Sequence, residues 1–426
     1  MKAFALLPIA ILAWPGLIAS QPEGDEPGAW SAADNLSTTP GRSAYATLVE
    51  NPISGDLFAA WMDDGIAERP EVMGRRWDRA SQAWQPPLTE PAENLSRSEW
   101  HDSGPVFYFD GQGNGLFLWS RRYAQNQGAP TDGTDVLWRA WDGTAWSDEQ
   151  VLMHDPSYLP STYGFGLIPV ELPAGMLLFI TQDVNYRTTE YRNGAWSELS
   201  PWAFLDVSLA QVIRDDAGLL HAAAYGQNSS QDGWDRWFLD AYYLTFDGSN
   251  WSVPINLSDT DGVVRDVGLA FDRQKRLHFL WSDPDSIYSS ESKKSALWER
   301  VYTAGDWTPN TEVLAYQDKQ AINGFALAVD GGGTFHLGWS QGVFVDNLHT
   351  DLGIYYRSGD GDIWGPETTV YTSTAESRYP VLSAGNYGAA LVWQEGSISA
   401  RQVYFAQQTS SSLPRQQTYL PMIWTR

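Results

Sequence analysis

The sequence has no cysteine among its 426 residues. Disulfide bonds, thiolate nucleophiles and cysteine-ligated zinc are therefore excluded. Positive charge is also scarce, because 27 Lys and Arg residues face 52 Asp and Glu residues, which gives a formal net charge of −25. Nucleic acids and anionic membranes are recognised through basic surfaces, so neither is an expected partner. The sequence also lacks the HExxH, phosphate-loop and GxSxG motifs that would point to a particular chemistry.

Long apolar runs are confined to the N-terminus, and no later run is long enough for a transmembrane segment. Lys2 precedes the apolar stretch Ala3–Ile18, and the small residues Ala19 and Ser20 follow it. This order is typical of a secretory signal. We predict a signal peptide over residues 1–20, an acidic leader over 21–27, and a secreted or cell-surface protein.

Aromatic residues are abundant, with 22 Trp, 20 Tyr and 16 Phe, and they recur in a repeated unit. The unit is clearest between residues 265 and 314, where four short strand-like runs follow one another: Val267–Phe271, Arg276–Ser282, Ala296–Thr303 and Trp307–Leu314. Short runs of this kind, separated by Gly- and Asp-rich turns, predict an all-β fold.

Two independent marks count the repeats. The first is an apolar second strand, found at Leu57–Trp61, Leu116–Trp119, Met176–Ile180, Leu219–Tyr225, Leu277–Trp281, Phe335–Trp339 and Ala389–Trp393. The second is a Trp that opens each fourth strand after a turn, at Trp30, Trp84, Trp146, Trp196, Trp251, Trp307 and Trp364. Both marks give seven repeats, and neighbouring Trp residues of the second series are 50 to 62 residues apart.

The two ends of the repeat region complement each other. Gly28–Ser37 reads as a fourth strand with no unit before it, and Tyr379–Gln408 supplies three strands with no fourth. A β-propeller in which the N-terminal strand completes the last blade leaves no open sheet edge. We therefore predict seven antiparallel four-stranded blades over residues 28–408 and a C-terminal tail over 409–426. Six blades would require that the weakest unit, around Gly164–Ser200, is not a blade.

Residues that recur with the repeat are expected to be architectural. The seven fourth-strand Trp side chains should wedge between blades, because large rings bury much apolar area. His221, His278 and His336 share one repeat position, which favours packing or channel lining over metal binding. No cofactor or metal is expected, although an acidic surface leaves bound Ca²⁺ as an alternative.

Function is expected on the face that carries the long second-to-third loops and the links between blades. The opposite face carries tight Asp-Gly turns, whose composition turn geometry explains, whereas variable loops on a rigid scaffold usually carry function. Polar candidates where first strands begin on the loop-rich face are Glu99, His101, Asp102, Tyr163, Asp206, Arg265, Asp266, Arg378 and Tyr379. Aromatic candidates for stacking on sugar rings are Trp100, Trp234 and Trp237. The set could bind a carboxylated sugar or support acid–base chemistry, or it could be a solvated polar surface.

The third turn of the blades resembles the Asp-box of the sialidase-like β-propellers. The segments Ser358–Trp364 (SGDGDIW) and Thr245–Trp251 (TFDGSNW) place an Asp four residues before a Trp, one residue closer than in the Asp-box. The resemblance implies a sialidase-like propeller over residues 28–408. It would further imply an Arg-Ile-Pro segment, an arginine triad, an acid Asp and a Tyr/Glu pair in a catalytic member. No Arg-Ile-Pro occurs, and the first blade begins at Gly41-Arg42-Ser43-Ala44 instead.

Three functional hypotheses remain open. The first is a monomeric, non-catalytic protein that binds a glycan or an extracellular protein on its loop-rich face. The second is a divergent sialidase-like glycoside hydrolase, which would need converging arginines beside a Tyr bonded to a carboxylate. The third is a structural cell-surface module.

Overall fold

The computed structural model describes residues 28–65, 69–124, 129, 132–157, 164–227, 239–259, 264–284, 295–316, 320–345, 348–385, 388–397 and 399–408. The predicted signal peptide, leader and tail lie outside these residues, as do Tyr163, Trp234 and Trp237. Strands, turns and bends make up the described chain, and none of it forms a helix that could cross a membrane.

Seven antiparallel sheets follow one another along the chain, as predicted, and we number them as blades 1 to 7. Blade 1 contains Ser43–Glu50, Leu57–Asp63, Glu71–Asp78, Ala83–Gln85 and Glu93–Asn94. Blade 2 contains His101–Phe109, Gly115–Tyr123, Gly133–Trp141 and Gln150–Asp155. Blade 3 contains Gly166–Leu172, Gly175–Gln182, Asn185–Arg192, Ala195–Trp196 and Ala203–Phe204. The weakest repeat is thus a complete blade, and the six-blade alternative is wrong.

The remaining blades keep the same up-and-down order. Blade 4 contains Ser208–Arg214, Leu220–Gln227, Leu239–Phe246 and Ile255–Asn256. Blade 5 contains Val267–Phe271, Leu277–Pro284, Ser295–Thr303, Asp306–Trp307 and Thr311–Tyr316. Blade 6 contains Gln320–Val329, Phe335–Val345, Leu348–Gly359 and Thr368–Thr372. Blade 7 contains Ser377–Gly385, Gly388–Glu395 and Gln402–Gln407.

The N-terminal strand closes the ring, as the complementary ends predicted. Asp34–Asn35 pairs with the third strand of blade 7, with Asp34 opposite Phe405 and Asn35 opposite Tyr404. Trp30 forms a further bridge to Gln408. The described part of the chain therefore begins and ends in one sheet, and within it the closure leaves no free edge between blade 7 and blade 1.

The second strands form the most buried layer of each blade, because sheets of adjacent blades cover both of their faces. This environment explains why their sequences are continuous apolar runs. Five of them place a Trp that is at most 1% exposed near the end of the run: Trp61, Trp119, Trp281, Trp339 and Trp393.

The fourth-strand Trp residues pack against the preceding blade, which confirms their wedge role. The Trp84 ring lies 4.8 Å from Phe405 of blade 7, measured between centroids. Trp146 lies 5.8 Å from Phe58 of blade 1 in the same way. Trp307 lies 4.9 Å from Tyr243 of blade 4.

The three repeated histidines take part in packing on the tight-turn face. Each ring lies between a third-strand side chain and the Asp that opens the first turn of its blade. His221 Nδ1 lies 2.8 Å from Tyr243, and its Nε2 lies 3.5 Å from Asp215. In His278 the same atoms lie 2.8 Å from Glu299 and 3.3 Å from Asp272. In His336 they lie 2.7 Å from Tyr356 and 3.5 Å from Asp330. The repeated geometry confirms the packing interpretation.

Candidate functional site

Polar side chains lock the start of several first strands to the end of the neighbouring second strand. In blade 1, the carboxylate of Asp63 is fully buried and accepts hydrogen bonds from Thr39 Oγ1 at 2.7 Å and Ser43 Oγ at 2.8 Å. It also accepts from Trp61 Nε1 at 3.3 Å and from the Gly65 backbone N–H at 2.9 Å. A polar residue two positions after a buried strand Trp is the sequence signal for such a lock.

Blade 2 uses a buried ion pair in the same place. Arg121 Nε lies 2.8 Å from Asp102, and its two terminal nitrogens donate to Glu149 at 2.5 and 2.8 Å. Asp102 also accepts from Ser98 Oγ and from Trp119 Nε1. Burial raises the pKa of Asp102 to about 7, against the attraction of Arg121. Asp102 was a candidate ligand contact, but the structure buries it completely, so it supports the loop-rich face from within.

Five first strands shift register against the second strand. The shift in blade 4 adds one residue, between Leu209 and Gln211. In the other four, two residues of the first strand face one residue of the second, which is a β-bulge. These bulges fall between Ala44 and Thr47, Ser103 and Val106, Ile322 and Phe325, and Arg378 and Val381. These are blades 1, 2, 6 and 7, which are consecutive around the closed ring. Bulges re-aim side chains and are common beside functional sites. These four consecutive blades therefore share one form of bulge at the start of the first strand.

Each bulge contains one residue with positive φ. In blades 2 and 6 this residue is glycine, at Gly104 (φ 62°) and Gly324 (φ 150°). In blades 1 and 7 it is tyrosine, at Tyr45 (φ 55°) and Tyr379 (φ 54°). A bulky residue in the left-handed region is a genuine outlier, because its Cβ crowds the backbone.

Arg42 lies directly before the first strand of blade 1, where its backbone is held by close contacts with the segment around Asp64. Its backbone N–H donates to the Asp64 carboxylate at 2.6 Å, and its carbonyl accepts from the Asp64 N–H at 3.0 Å. Beside it, Gly41 approaches Gly65 so closely that a Cβ on Gly41 would lie 2.0 Å from the Gly65 Cα. The Arg42 Nε is buried and has no hydrogen-bond partner among the described residues.

His101 and Arg122 lie next to Arg42 on the adjacent blade. They face each other across the first two strands of blade 2, so alternation places them on the side opposite to Asp102 and Arg121. Burial lowers the pKa of His101, and the positive charges of Arg122 and Arg42 lower it further. His101 Nε2 is buried and has no hydrogen-bond partner among the described residues. The imidazole is therefore neutral at pH 7.

Blade 7 contributes two more guanidinium groups. Arg401 lies over the ring of Tyr379, with 5.5 Å between its Cζ and the ring centroid. Arg378 Nη2 lies 3.3 Å from Glu376, and Arg401 Nη2 lies 4.0 Å from the same carboxylate. The backbone carbonyl of Arg401 accepts from the Ser43 N–H at 2.7 Å, which joins this group to blade 1.

Blades 7, 1 and 2 thus bring together seven side chains on the loop-rich face, which we call the arginine cluster: Arg42, Arg122, Arg378, Arg401, His101, Tyr45 and Tyr379. Three of these, His101, Arg378 and Tyr379, were predicted from the sequence. Guanidinium groups bind carboxylates and sulfates through paired N–H donors. The geometry suits an anion-binding surface with aromatic rings beside it.

The other predicted residues lie away from this cluster or at its edge. Asp206 is exposed before the first strand of blade 4, and Arg265 and Asp266 precede that of blade 5. Glu99 is exposed, and its carbonyl accepts from Arg69 at 2.9 Å. Trp100 is half-buried beneath Arg69, with 4.8 Å between the Arg69 Cζ and the ring centroid. Within the described residues, no group of three His, Asp or Glu side chains could hold a metal ion.

No family model and no curated protein matches the sequence. Among solved structures, an ulvan lyase bound to -[GlcA(1-4)Rha3S]- is similar, with a TM-score of 0.53 and 11% identity over 87% of this chain and 97% of that one. In fold, the chain is a β-propeller of seven antiparallel blades. The intramolecular trans-sialidase of Ruminococcus gnavus is also similar to this propeller, with a TM-score of 0.44 and 10% identity over 90% of this chain and 97% of that one. At these identities the comparisons concern the fold alone.

Proposed function

We propose that this propeller is an exported protein whose arginine cluster binds an acidic saccharide. The observation that carries the proposal is the placement of four guanidinium groups on three consecutive blades, with the Arg42 Nε buried and unbonded within the described chain. A buried N–H donor without a partner loses hydration without compensation, and the Arg42 Nε is one of several such donors in the described chain. A carboxylate or sulfate oxygen would supply the missing acceptor.

The negative charge of the whole protein makes a local cluster of arginines a stronger sign of specific anion binding. With a net charge of −25, the protein as a whole repels anions, so a non-specific attraction cannot account for anion binding. Glu376 is shared by Arg378 and Arg401, whereas Arg42 and Arg122 are close enough to His101 to lower its pKa together. A ligand carboxylate is therefore expected to gain the most binding free energy in the part of the cluster around Arg42.

The aromatic rings and the fold point to a sugar as the carrier of the charge. Tyr45 and Tyr379 flank the arginines, and tyrosine rings pack well against the apolar faces of sugars. The similar ulvan lyase was solved with a saccharide that contains glucuronate, which is a carboxylated sugar. We extend that ligand class to this chain as part of the proposal.

Calorimetric titration of the mature chain tests the proposal. We expect binding of uronate and sulfated oligosaccharides, no binding of neutral ones of equal length, and weaker binding at higher salt. Arg42→Ala and Arg122→Ala should each reduce the affinity about 10- to 100-fold, because a hydrogen bond to a charged group contributes about 1.5–3 kcal/mol. Arg192→Ala is the matched control, since Arg192 is exposed on the tight-turn face and pairs with Glu190 at 2.7 Å. Equal affinity for neutral and acidic glycans would refute the proposal.

One observation favours catalysis at the same site as the second candidate. His101 is neutral at pH 7 and lies beside arginines that would hold a ligand carboxylate, so it could accept a proton from the water that attacks the glycosidic bond. A divergent glycoside hydrolase is the form of this alternative that the sequence resemblance favours. Incubation with acidic oligosaccharides and with a sialylated fluorogenic substrate distinguishes the two. Product release that His101→Ala abolishes, without loss of binding, would establish an enzyme.

A further inference from the structure

Two tyrosines occupy backbone positions where the same fold uses glycine elsewhere. Tyr45 and Tyr379 have φ values of 55° and 54°, and the residue at the same position of the blade 2 bulge is Gly104, with a φ of 62°. Only glycine adopts this region without a steric penalty. Glycine would therefore relieve backbone strain at both positions.

Core packing does not explain the two residues. Both side chains are half-buried, and neither belongs to any of the hydrophobic clusters formed by the described residues. Strained residues that a fold does not need cluster at ligand sites, where the strain positions a group. The position of both tyrosines in the arginine cluster agrees with that rule.

Each tyrosine is also paired with an arginine on its own blade. The Arg42 Cζ lies 6.0 Å from the centroid of the Tyr45 ring, and the Arg401 Cζ lies 5.5 Å from that of Tyr379. A guanidinium group held near a ring face loses part of its freedom before a ligand arrives. Adjacent blades thus present the same pair of groups twice, once on each side of the ring closure.

We propose that Tyr45 and Tyr379 are specificity-determining residues, and that the two Arg–Tyr pairs bind two successive sugars of an acidic oligosaccharide. The inference rests on the proposed function and adds the length of the ligand. Each pair offers a ring for the apolar face of one sugar and an N–H donor for a nearby acidic group. A single terminal acidic sugar occupies one pair and gains little from the other.

The strain is tested by thermal unfolding. Tyr45→Gly and Tyr45→Ala both remove the ring, and they differ in two opposing terms, the left-handed strain of alanine and the larger folding entropy cost of glycine. We expect the Gly variant to melt about 1–3 °C above the Ala variant, although glycine is normally the weaker strand residue. Ala46→Gly, one residue along the same strand, is the matched control and should lower the melting temperature. A Gly variant of Tyr45 less stable than the Ala variant would overturn the strain argument.

The specificity role is tested by titrating uronate mono-, di- and tetrasaccharides. Tyr45→Gly and Tyr379→Gly should each weaken binding of the di- and tetrasaccharide about 10-fold, the size of a lost aromatic contact. The monosaccharide should lose about 2-fold at most, because one intact pair still binds it. Tyr45→Phe keeps the ring and should bind each length nearly as the wild type does. A purely structural role would instead weaken all lengths equally in the Gly variants.

The outcomes separate the two proposals. If both Gly variants bind every length as the wild type does, while Arg42→Ala loses binding, the tyrosine inference is wrong and the proposed function stands. If all lengths weaken equally in the Gly variants, the inference of two successive sugar sites is wrong. If the wild-type chain binds no acidic saccharide of any length, the proposed function fails and the inference fails with it.

Discussion

Replacing Asp63 by asparagine should both destabilise the propeller and weaken the arginine cluster. The Asp63 carboxylate is fully buried and accepts four hydrogen bonds, the shortest being 2.7 Å from Thr39 and 2.8 Å from Ser43. An asparagine side chain is isosteric with the carboxylate, but only one of its two terminal atoms can accept. The amide nitrogen must therefore face at least one N–H or O–H donor.

The magnitude follows from these contacts. Hydrogen bonds to a charged acceptor contribute about 1.5–3 kcal/mol, and neutral ones contribute about 0.5–1.5 kcal/mol. Loss of the charge weakens the remaining bonds, and the donor opposite the amide is left buried without an acceptor. We expect Asp63→Asn to lower the free energy of unfolding by about 2–4 kcal/mol.

The same substitution should reduce the affinity for an acidic saccharide several-fold. Asp63 holds the Gly65 N–H at 2.9 Å, and Gly65 packs against Gly41, directly before Arg42. If Gly41 and Gly65 move, the Arg42 guanidinium group moves away from its position relative to the other arginines of the cluster. Urea unfolding and calorimetric titration measure the two effects, with Asp148→Asn as an exposed control. A free energy of unfolding within about 0.5 kcal/mol of the wild type would refute the reasoning, because this is the range of ordinary surface substitutions.

Two further predictions concern the scaffold. Burial alone would raise the pKa of Asp330, but hydrogen bonds from His336 and from the Thr334 and Gly332 N–H groups lower it to about 2. A lowered pKa stabilises the fold above the ordinary value of about 4, so about 2 kcal/mol should be lost as the pH falls from about 4 to 2. Urea midpoints measured across this range check it, and Asp330→Asn should flatten the profile; an unchanged profile would contradict it. Trp84→Ala removes the wedge between blades 1 and 7 and should cost about 3–5 kcal/mol in the same assay, and a cost under about 1 kcal/mol would show that the wedge is dispensable.

The fold could be predicted from the sequence because the repeat imposes the same packing problem seven times. Each fourth-strand Trp must fill the gap to the preceding blade, so its residue type recurs even where the loops differ. The second-strand runs recur because both of their faces are covered. Even the weak unit of blade 3 satisfies both conditions, with Trp196 packed 5.8 Å from Trp138 between ring centroids.

The site was only partly predictable, because its geometry depends on backbone features that residue types do not encode. Nothing in the sequence marks Tyr45 as a left-handed residue, and Arg42 drew attention only as a departure from a family motif. Arg401 lies at the start of a third strand after a short loop, whereas long loops were favoured as carriers of function. The bulges of blades 1 and 7 position Tyr45 and Tyr379, and these bulges appear only when strand registers are compared.

The position of the cluster connects function to ring closure. Gln402 of blade 7 donates to the Gly41 carbonyl at 3.0 Å and accepts from Ser37 at 2.9 Å. These contacts join the C-terminal and N-terminal parts of the chain directly beside Arg42. The two Arg–Tyr pairs lie on opposite sides of this junction, so their relative position is fixed only when the N-terminal strand has closed blade 7. A ligand that spans both pairs binds the closed ring alone, and by linkage it must stabilise the closure in proportion to its affinity.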